Sequence, residues 1–172
     1  MSFNRILEKY RRISFSERNK GERFERLMQA YLQTDPKYAD SLEKVWLWKE
    51  FPGREDLGGS DTGIDLVART CGGDYWAVQC KCFQESARID KPAVDSFLAT
   101  SGRTFGNEQG ETAAFAQRLW ISTTNKWSSK ATQAISNQQP QVTRINLNNL
   151  VEAPVDWEQL DKGISGDPVS YT

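Results

Sequence analysis

A glycine pair between two short runs of β-branched and aromatic residues predicts a β-hairpin over residues 61–81. Successive side chains of a strand point to opposite faces, so Gln79 and Lys81 share one face of the second strand. A three-residue loop at 71–73 that closes with a glycine would place Asp65 directly opposite Gln79, with Lys81 diagonal to it. A carboxylate, an amide and an ammonium group would then meet on one small patch.

The two faces of this hairpin differ in polarity. On the second strand, the apolar face that we place against the core carries Trp76, Val78, Cys80 and Cys82. The opposite face is expected to be open and polar, with oxygen donors that suit Mg²⁺ and a lysine that suits a phosphate anion. The alternative is structural: Asp65 would be an ordinary residue before a strand, and Lys81 a charge that protects a sheet edge.

The lack of histidine in the sequence narrows the chemistry. It excludes Ser-His and Cys-His nucleophilic sites, zinc sites that contain histidine and nucleases that use a histidine base. The three cysteines are an odd number in a chain without a signal peptide, which argues against a disulfide framework, and they are too few for a zinc site. We therefore expect Cys80 and Cys82 to be small buried apolar residues rather than redox or metal groups.

Length and composition predict one globular domain. The chain has 172 residues, of which 38% are hydrophobic and 26% charged. No apolar run approaches the roughly 18 residues of a membrane span, and the N-terminus lacks a signal-peptide core, so we expect a cytoplasmic protein. The expected domain covers residues 1–151. Segment 152–172, with its prolines and glycines, is expected to be a linker toward a downstream domain outside this chain.

A helix predicted over residues 16–33 carries a candidate acid. Its buried stripe is formed at helical spacing by Phe24, Leu27, Met28 and Tyr31. Glu25 borders this stripe and can reach a site beside the sheet, whereas Glu22 lies further toward solvent. The alternative is that Glu25 is a surface residue paired with a neighbouring arginine.

The remaining segments predict an α/β fold. In chain order they are a strand at 44–50, a loop at 51–60, the hairpin, a helix capped by Asp90, a mobile loop at 102–111, a strand at 118–122, a helix from Ser128 to about residue 137 and a strand at 142–147. The order helix, three strands, helix, strand, helix, strand suits a meander followed by crossover connections on a mixed sheet.

Two segments are candidates for contact with phosphate groups. Residues 1–26 contain eight basic and four acidic residues, a net charge of +4, which fits a phosphate contact or a solvated helix face equally well. Thr123, Thr124 and Lys126 follow a predicted strand and precede a helix N-terminus, where anions are favoured. We predict that these three residues bind phosphates; the alternative is a solvent-exposed turn.

Four motifs occur in order along the chain. They are Gly21-x-x-Phe24-Glu25, Asp61-x-Gly63-Ile64-Asp65, Val78-Gln79-Cys80-Lys81 and Ile121-Ser122-Thr123-Thr124. Together they resemble the PD-(D/E)xK nuclease superfamily, most closely its Mrr-like branch, which carries Gln where most members carry an acid. The resemblance implies a restriction-endonuclease-like central mixed β-sheet flanked by helices, an αβββαβ core with a further helix and strand.

The same resemblance implies a role for each candidate residue. Asp65 would be the principal Mg²⁺ ligand, Gln79 would supply an amide oxygen, and the backbone carbonyl of Cys80 a further ligand. Glu25 would complete or orient this set. Lys81 would position the attacking water or offset charge that develops on the phosphate. Water bound to Mg²⁺ has a lowered pKa, so a hydroxide nucleophile would form without histidine.

The implied activity is that of an Mg²⁺-dependent endonuclease on double-stranded DNA, with Thr123, Thr124 and Lys126 on the DNA backbone. The basic N-terminus and Pro154–Trp157 are also similar to the nuclease domain that opens single-polypeptide, ATP-dependent (Type ISP) restriction-modification enzymes of prokaryotes. That likeness implies covalently linked helicase-like and methyltransferase domains, with ATP serving only the motor. The alternatives are a DNA-binding or assembly module that keeps the fold without cleaving, and a redox or metal protein that uses its cysteines.

Overall fold

A mixed β-sheet forms the centre of the molecule. The structure is a computed structural model that describes residues 2–12, 17–59, 63–82 and 86–165. Its strands are β1 (Leu42–Leu47), β2 (Leu66–Thr70), β3 (Tyr75–Lys81), β4 (Arg88–Ile89), β5 (Thr104–Gly106), β6 (Thr112–Ser122), β7 (Lys126–Trp127) and β8 (Val142–Ile145). Its helices are α1 (Phe3–Arg12), α2 (Glu17–Thr34), α3 (Pro36–Ala39), α4 (Lys91–Ser101), α5 (Ser129–Ile135), α6 (Leu147–Glu152) and α7 (Trp157–Ser165).

The strand order of the sheet is β1–β2–β3–β6, and both β5 and β8 pair with β6. The first three strands form an antiparallel meander, whereas β6 is parallel to β3 and β8 is parallel to β6. β4 and β7 form a separate short parallel pair. The predicted α/β core is confirmed, because α2, β1, β2, β3, α4, β6, α5 and β8 follow one another in the predicted order.

Two helices begin where the sequence predicted capping residues. The Asp90 carboxylate accepts a hydrogen bond from Ala93 N at 3.3 Å, and the Ser128 hydroxyl accepts one from Ala131 N at 3.0 Å. Each side chain satisfies a backbone donor that the first helical turn leaves without an intrahelical partner. These caps fix the starts of α4 and α5, the two helices that cover one face of the sheet.

Both faces of the sheet are covered by apolar layers. On one side, α1, α2 and α7 pack over residues that include Val78 and Cys80, as predicted. On the other side, α4 and α5 pack over a second core that includes Tyr75 and Ala77. The expectation of an open polar face was therefore wrong for most of that face, since Gln79 is itself only 1% exposed. Alternation gave the faces correctly, but it could not show that crossover helices cover both of them.

The C-terminal segment that was predicted to be a linker contains a packed helix. Trp157 at the start of α7 is 2% exposed, and its ring lies 4.6 Å from that of Phe3 and 5.3 Å from that of Tyr31. The prediction was wrong for residues 157–165, because the apolar residues of this segment, including Trp157, pack on the core and Gly163 is accommodated within the helix. Residues 166–172 lie outside the described part of the chain.

The first part of the basic N-terminal segment is an amphipathic helix, α1. The apolar face of α1 is buried and comprises Phe3, Ile6, Leu7 and Tyr10. One of its cations is used internally: Lys9 Nζ lies 2.6 Å from the carboxylate of Asp161 on α7, and the Tyr10 hydroxyl donates to the same carboxylate at 2.8 Å. This contact joins the first and last described helices across the surface of α2.

The segment predicted to be a mobile loop at 102–111 contains β5, which forms a hairpin with the first residues of β6. Phe105 provides the reason, since its ring is buried against Phe51 and Phe115. β6 therefore begins at Thr112, six residues before the predicted strand. Within the described residues, we find no helix that is both long and apolar enough to span a membrane.

Candidate active site

The candidate site lies at the end of the sheet where β2 begins and β3 ends. Asp65 directly precedes β2, and its backbone is fixed on one side by β3 and on the other by the turn that follows β1. Its backbone N–H donates to the Val78 carbonyl at 2.9 Å, and its carbonyl accepts from Trp48 N at 2.9 Å. Because these bonds hold the backbone on both sides, the direction of the Asp65 side chain is set by the sheet rather than by a loop.

The register of the hairpin places the predicted residues together. Leu66 pairs with Val78, so Asp65 stands opposite Gln79, with Lys81 on the diagonal. The connection is the predicted three-residue loop at 71–73, in which Gly73 adopts a φ of +94° that favours glycine. The Asp65 Oδ2 atom also accepts a hydrogen bond from Cys80 N at 2.8 Å. This part of the sequence-based geometry is confirmed.

The amide of Gln79 links the loop before β2 to the lysine. With its amide oriented to satisfy both ends, Nε2 donates to the carbonyl of Gly63 and Oε1 accepts from Lys81 Nζ at 3.3 Å. Gly63 has a φ of +78°, and a Cβ atom there would lie 3.1 Å from the backbone N of Phe97 in α4. Glycine is therefore needed for the loop to pass close to α4, which explains its place two residues before Asp65.

Helix α2 delivers Glu25 to the same point. Glu25 and Asp65 are hydrogen-bonded to each other, and the pKa of Glu25 is raised to about 8, first by burial and then by the charge of Asp65. The pKa of Asp65 is also raised by burial, although the Cys80 N–H and Lys81 oppose the rise. Glu25 thus holds a proton at neutral pH, which it shares with Asp65 through the hydrogen bond between them.

The rotation of α2 separates Glu25 from Glu22 as the sequence predicted. Glu25 is partly buried against the sheet, whereas Glu22 is exposed at the rim of the same cavity. The charge of Glu22 still contributes to raising the pKa of Glu25, but less than burial and Asp65 do. Of the two acids, only Glu25 is bonded directly to Asp65.

Two cavities meet at this cluster. The larger has a volume of about 540 Å³, and its wall includes the four predicted residues Glu25, Asp65, Gln79 and Lys81. The smaller, of about 170 Å³, is lined by Gly21, Phe24, Glu25, Asp65, Cys80, Lys81 and Cys82. Sequence reasoning did not identify Arg26, Trp48, Lys49 and Ser96, which also line the larger cavity. No local signal marked them, because they come from separate elements.

The family of this chain is shown by a match to a family model. The model of the Mrr_cat_2 family, described as a restriction endonuclease, matches residues 33–166, which is well over half of the chain. This chain belongs to the Mrr_cat_2 restriction endonuclease family. The match includes Asp65, Gln79 and Lys81, whereas Glu25 precedes it.

Solved restriction enzymes have the same fold as this Mrr_cat_2 domain. The ATP-dependent Type ISP restriction-modification enzyme LlaBIII, solved bound to DNA, is 26% identical with a TM-score of 0.68 over 92% of this chain. MspJI with a 27-mer oligonucleotide is 18% identical (TM-score 0.56, 94% of this chain), and the modification-dependent endonuclease AspBHI is 15% identical (0.54, 97%). The chain spans only 9%, 34% and 40% of these three proteins, respectively. A search of curated proteins gave no match.

These comparisons confirm the predicted resemblance to Mrr-like nucleases and to Type ISP restriction-modification enzymes. They also confirm the restriction-endonuclease-like fold.

The cysteines of the domain follow the prediction in part. Cys80 is buried, and burial raises the pKa of its thiol well above the ordinary value, so the sulfur stays protonated. Cys82 is only half-buried, and Cys71 is exposed on the hairpin loop. In the described segments, no three His, Cys, Asp or Glu side chains are grouped to hold a metal ion.

The structure corrects the prediction for two of the three phosphate-binding candidates. Thr123 and Thr124 are both 0% exposed. The Thr124 hydroxyl donates to the Ala87 carbonyl at 2.7 Å and accepts from Lys126 N at 3.1 Å, so it joins the segments that form β4 and β7. The Thr124 hydroxyl holds the turn together, and neither threonine side chain faces solvent. Lys126 alone is exposed, and its DNA contact stays a prediction.

We expect Lys126→Ala to reduce the salt dependence of DNA binding by about one charge and to weaken binding equally for different sequences. The reason is that its exposed ammonium can neutralise one phosphate without reading a base. The measurement is a binding titration at several salt concentrations, with Thr124→Val as the comparison. That variant should lower the thermal midpoint and leave the salt slope unchanged; an unchanged slope in Lys126→Ala would contradict the assignment.

The shared proton predicts an unusual pH dependence of stability. The pKa of Glu25 is about 8 in the folded chain, against 4.5 ordinarily, so between these values the folded state holds a proton that the unfolded state has lost. Its stabilising contribution is complete below about pH 4.5 and is lost as the pH rises through about 8. Without divalent cations, we expect the thermal midpoint to decrease as the pH is raised from 5.5 to 8.5.

The matched comparison for this pH effect is Glu25→Gln against Glu22→Gln. Gln at position 25 cannot titrate, so the decrease of the thermal midpoint with rising pH should become clearly smaller. Glu22→Gln should keep most of it, since Glu22 is a lesser cause of the raised pKa of Glu25. Equal pH profiles for wild type and Glu25→Gln would show that the two carboxyl groups do not share a proton.

Proposed function

We propose that this chain is an Mg²⁺-dependent DNA endonuclease domain that hydrolyses phosphodiester bonds. The observation that carries the proposal is the convergence of Glu25, Asp65, Gln79 and Lys81 on one cavity at the end of the sheet. Membership of a restriction endonuclease family supports the class of reaction. LlaBIII and MspJI were both solved with DNA or an oligonucleotide, which supports DNA as the substrate.

The donor set fits a hard divalent cation. Two carboxyl groups held together at raised pKa values are stabilised by a proton or a cation between them, and Lys81 offsets their charge only in part. Asp65, the amide oxygen of Gln79 and the carbonyl of Cys80 would hold Mg²⁺, and Glu25 would complete or orient this set. When bound, the ion would polarise the phosphate and lower the pKa of a water molecule.

The protein's own residues account for positioning. Cys80 N–H holds one oxygen of Asp65 at 2.8 Å, which fixes the carboxylate at the wall of the cavity. Lys81 is held by Gln79 Oε1 at 3.3 Å and lines both cavities, where its ammonium can contact a phosphate oxygen or the attacking water. Because Gln79 is neutral, the set has one negative charge fewer than an all-acid site. The ion should therefore bind weakly until a DNA phosphate is present.

We further propose that the domain is the cleavage module of a larger restriction-modification protein. LlaBIII, an ATP-dependent Type ISP enzyme, is matched over only 9% of its length. In such an arrangement, covalently linked helicase-like and methyltransferase domains would hold the DNA, and ATP would act only on the motor. Tethering would raise the local concentration of DNA at the nuclease, to the millimolar range for a short linker.

The test is cleavage of a supercoiled plasmid by the purified chain with Mg²⁺ and with EDTA. The proposal predicts nicked or linear product only with Mg²⁺, and more product when the chain is part of the longer protein. DNA binding without cleavage under all of these conditions would instead identify a non-catalytic DNA-binding module that retains the fold.

A further inference from the structure

We infer that Arg26 and Lys49 bind the DNA phosphates that flank the scissile one, and so position the strand over the site. The inference rests on the proposed function and extends it to two residues outside the implied catalytic set. Both line the larger cavity together with Asp65 and Lys81. They come from different elements, α2 and the turn that follows β1, so they stand on separate parts of the cavity wall.

The first argument is the charge of the cavity. Among the described residues, its wall contains three acids and three bases, and two of the acids, Glu25 and Asp65, lie at the centre beside Lys81. Lys81 acts on both acids, so the centre has no surplus positive charge for the phosphates on either side of the scissile one. Arg26 and Lys49 are the two remaining basic residues of the wall, and both side chains are exposed. They are therefore placed to offset the charge of incoming phosphates.

The second argument is that these two cations are not used within the protein. In the described segments, neither Arg26 nor Lys49 takes part in an ion pair, whereas other cations do. Arg69 is bonded to Glu43 and Glu108. The acid nearest in sequence to Lys49 is also engaged, since the Glu50 carboxylate accepts from Leu47 N at 3.1 Å. The two side chains therefore keep their full charge for a ligand.

The third argument is the rigidity of their supports. Arg26 follows Glu25 directly on an 18-residue helix whose opposite stripe is buried in the core. Lys49 follows Trp48, whose backbone N–H donates to the carbonyl of Asp65 at 2.9 Å and whose indole N–H donates to the carbonyl of Gly59. Each cation is thus one residue away from a group bonded to Asp65. A phosphate bound by either one is held at a defined position relative to the centre.

The test is the salt dependence of binding to a short fluorescent DNA duplex in EDTA, where cleavage cannot interfere. Arg26→Ala and Lys49→Ala should each reduce the slope of log K against log salt by about one charge, and the double variant by about two. Lys37→Ala is the matched control, because this exposed lysine lies on α3, next to the start of β1, at the opposite end of the strand from the cavity. Its slope should equal that of the wild type.

Cleavage assays with Mg²⁺ separate positioning from chemistry. The double variant should have a KM raised by at least tenfold and a kcat changed by less than about fivefold. The reason is that the lost contacts bind the substrate equally well in the ground state and in the transition state. Thermal unfolding should match the wild type, since both side chains are exposed. Wild-type slope and KM in the double variant would overturn the inference.

These outcomes distinguish the inference from the proposed function. If the wild type binds DNA through Arg26 and Lys49 but never cuts, the inference stands and the endonuclease proposal fails. If it cuts with Mg²⁺ and the double variant binds as tightly and with the same slope, the endonuclease proposal stands and the inference fails. A wild-type chain that shows no DNA binding at low salt contradicts both.

Discussion

We expect Asp65→Asn to lower Mg²⁺-dependent cleavage by about a thousandfold or more, because it removes the fixed negative charge on which the other groups of the site converge. Asn keeps an oxygen that can accept from Cys80 N–H, so the local hydrogen bond is retained. Replacement by Ala would leave that buried donor without its acceptor, at a cost of about 1–3 kcal/mol. The Asn variant therefore tests chemistry with the least disturbance of the fold.

The stability of Asp65→Asn provides an independent measurement. Burial raises the pKa of Asp65, which means that its ionised form is unfavourable in the folded protein without a cation. The thermal midpoint of Asp65→Asn in EDTA should therefore equal or exceed that of the wild type. Asp74→Asn, an exposed position at the turn end of the same hairpin, should change neither activity nor stability. Retained cleavage by a folded Asp65→Asn protein would exclude Asp65 as the central acid.

Glu25→Gln should lower cleavage by about 10–100-fold, whereas Glu22→Gln should change it by less than about twofold, since only Glu25 is bonded to Asp65. The two substitutions are a matched pair: the same residue type, on the same helix, on the wall of the same cavity. The measurement is the initial rate of plasmid cleavage at several Mg²⁺ concentrations. If Glu25 helps to hold the ion, excess Mg²⁺ should restore part of the rate.

The opposite ranking of the two variants would show that Glu22, and not Glu25, acts on the substrate. Equal, small effects would restrict the reaction to Asp65, Gln79 and Lys81, all of which lie within the segment matched by the family model. Glu25 lies outside that segment, so this experiment tests whether α2 contributes a residue to the active site.

The hairpin was predictable because its register depends on local features. Alternation fixed which residues share a face, and the glycine at position 73 fixed the loop length, so the opposition of Asp65 and Gln79 followed from the sequence. The reach of Glu25 followed from helical spacing alone. These are short-range constraints, in which a few neighbouring residues determine the geometry.

Other features depend on contacts between distant segments. Thr123 and Thr124 are small polar residues after a strand, and nothing nearby in the sequence shows that the chain around Ala87 covers them. Phe105 lies in a strand within a segment whose polar sequence is typical of a loop. The cavity wall that includes Arg26 and Lys49 combines residues from separate elements. Patterns within a single sequence do not show which distant segments are in contact.

The packing of α7 against α1 and α2 has a practical consequence for anyone who designs a shorter expression clone. A fragment that stops at residue 151 would retain every candidate catalytic side chain but would lose the indole of Trp157. The rings of Phe3 and Tyr31 would then be exposed to solvent. Lys9 and Tyr10 would also lose their contacts with the carboxylate of Asp161. Inactivity of such a fragment would report an incomplete fold rather than an inert site, so clones should extend at least to residue 165.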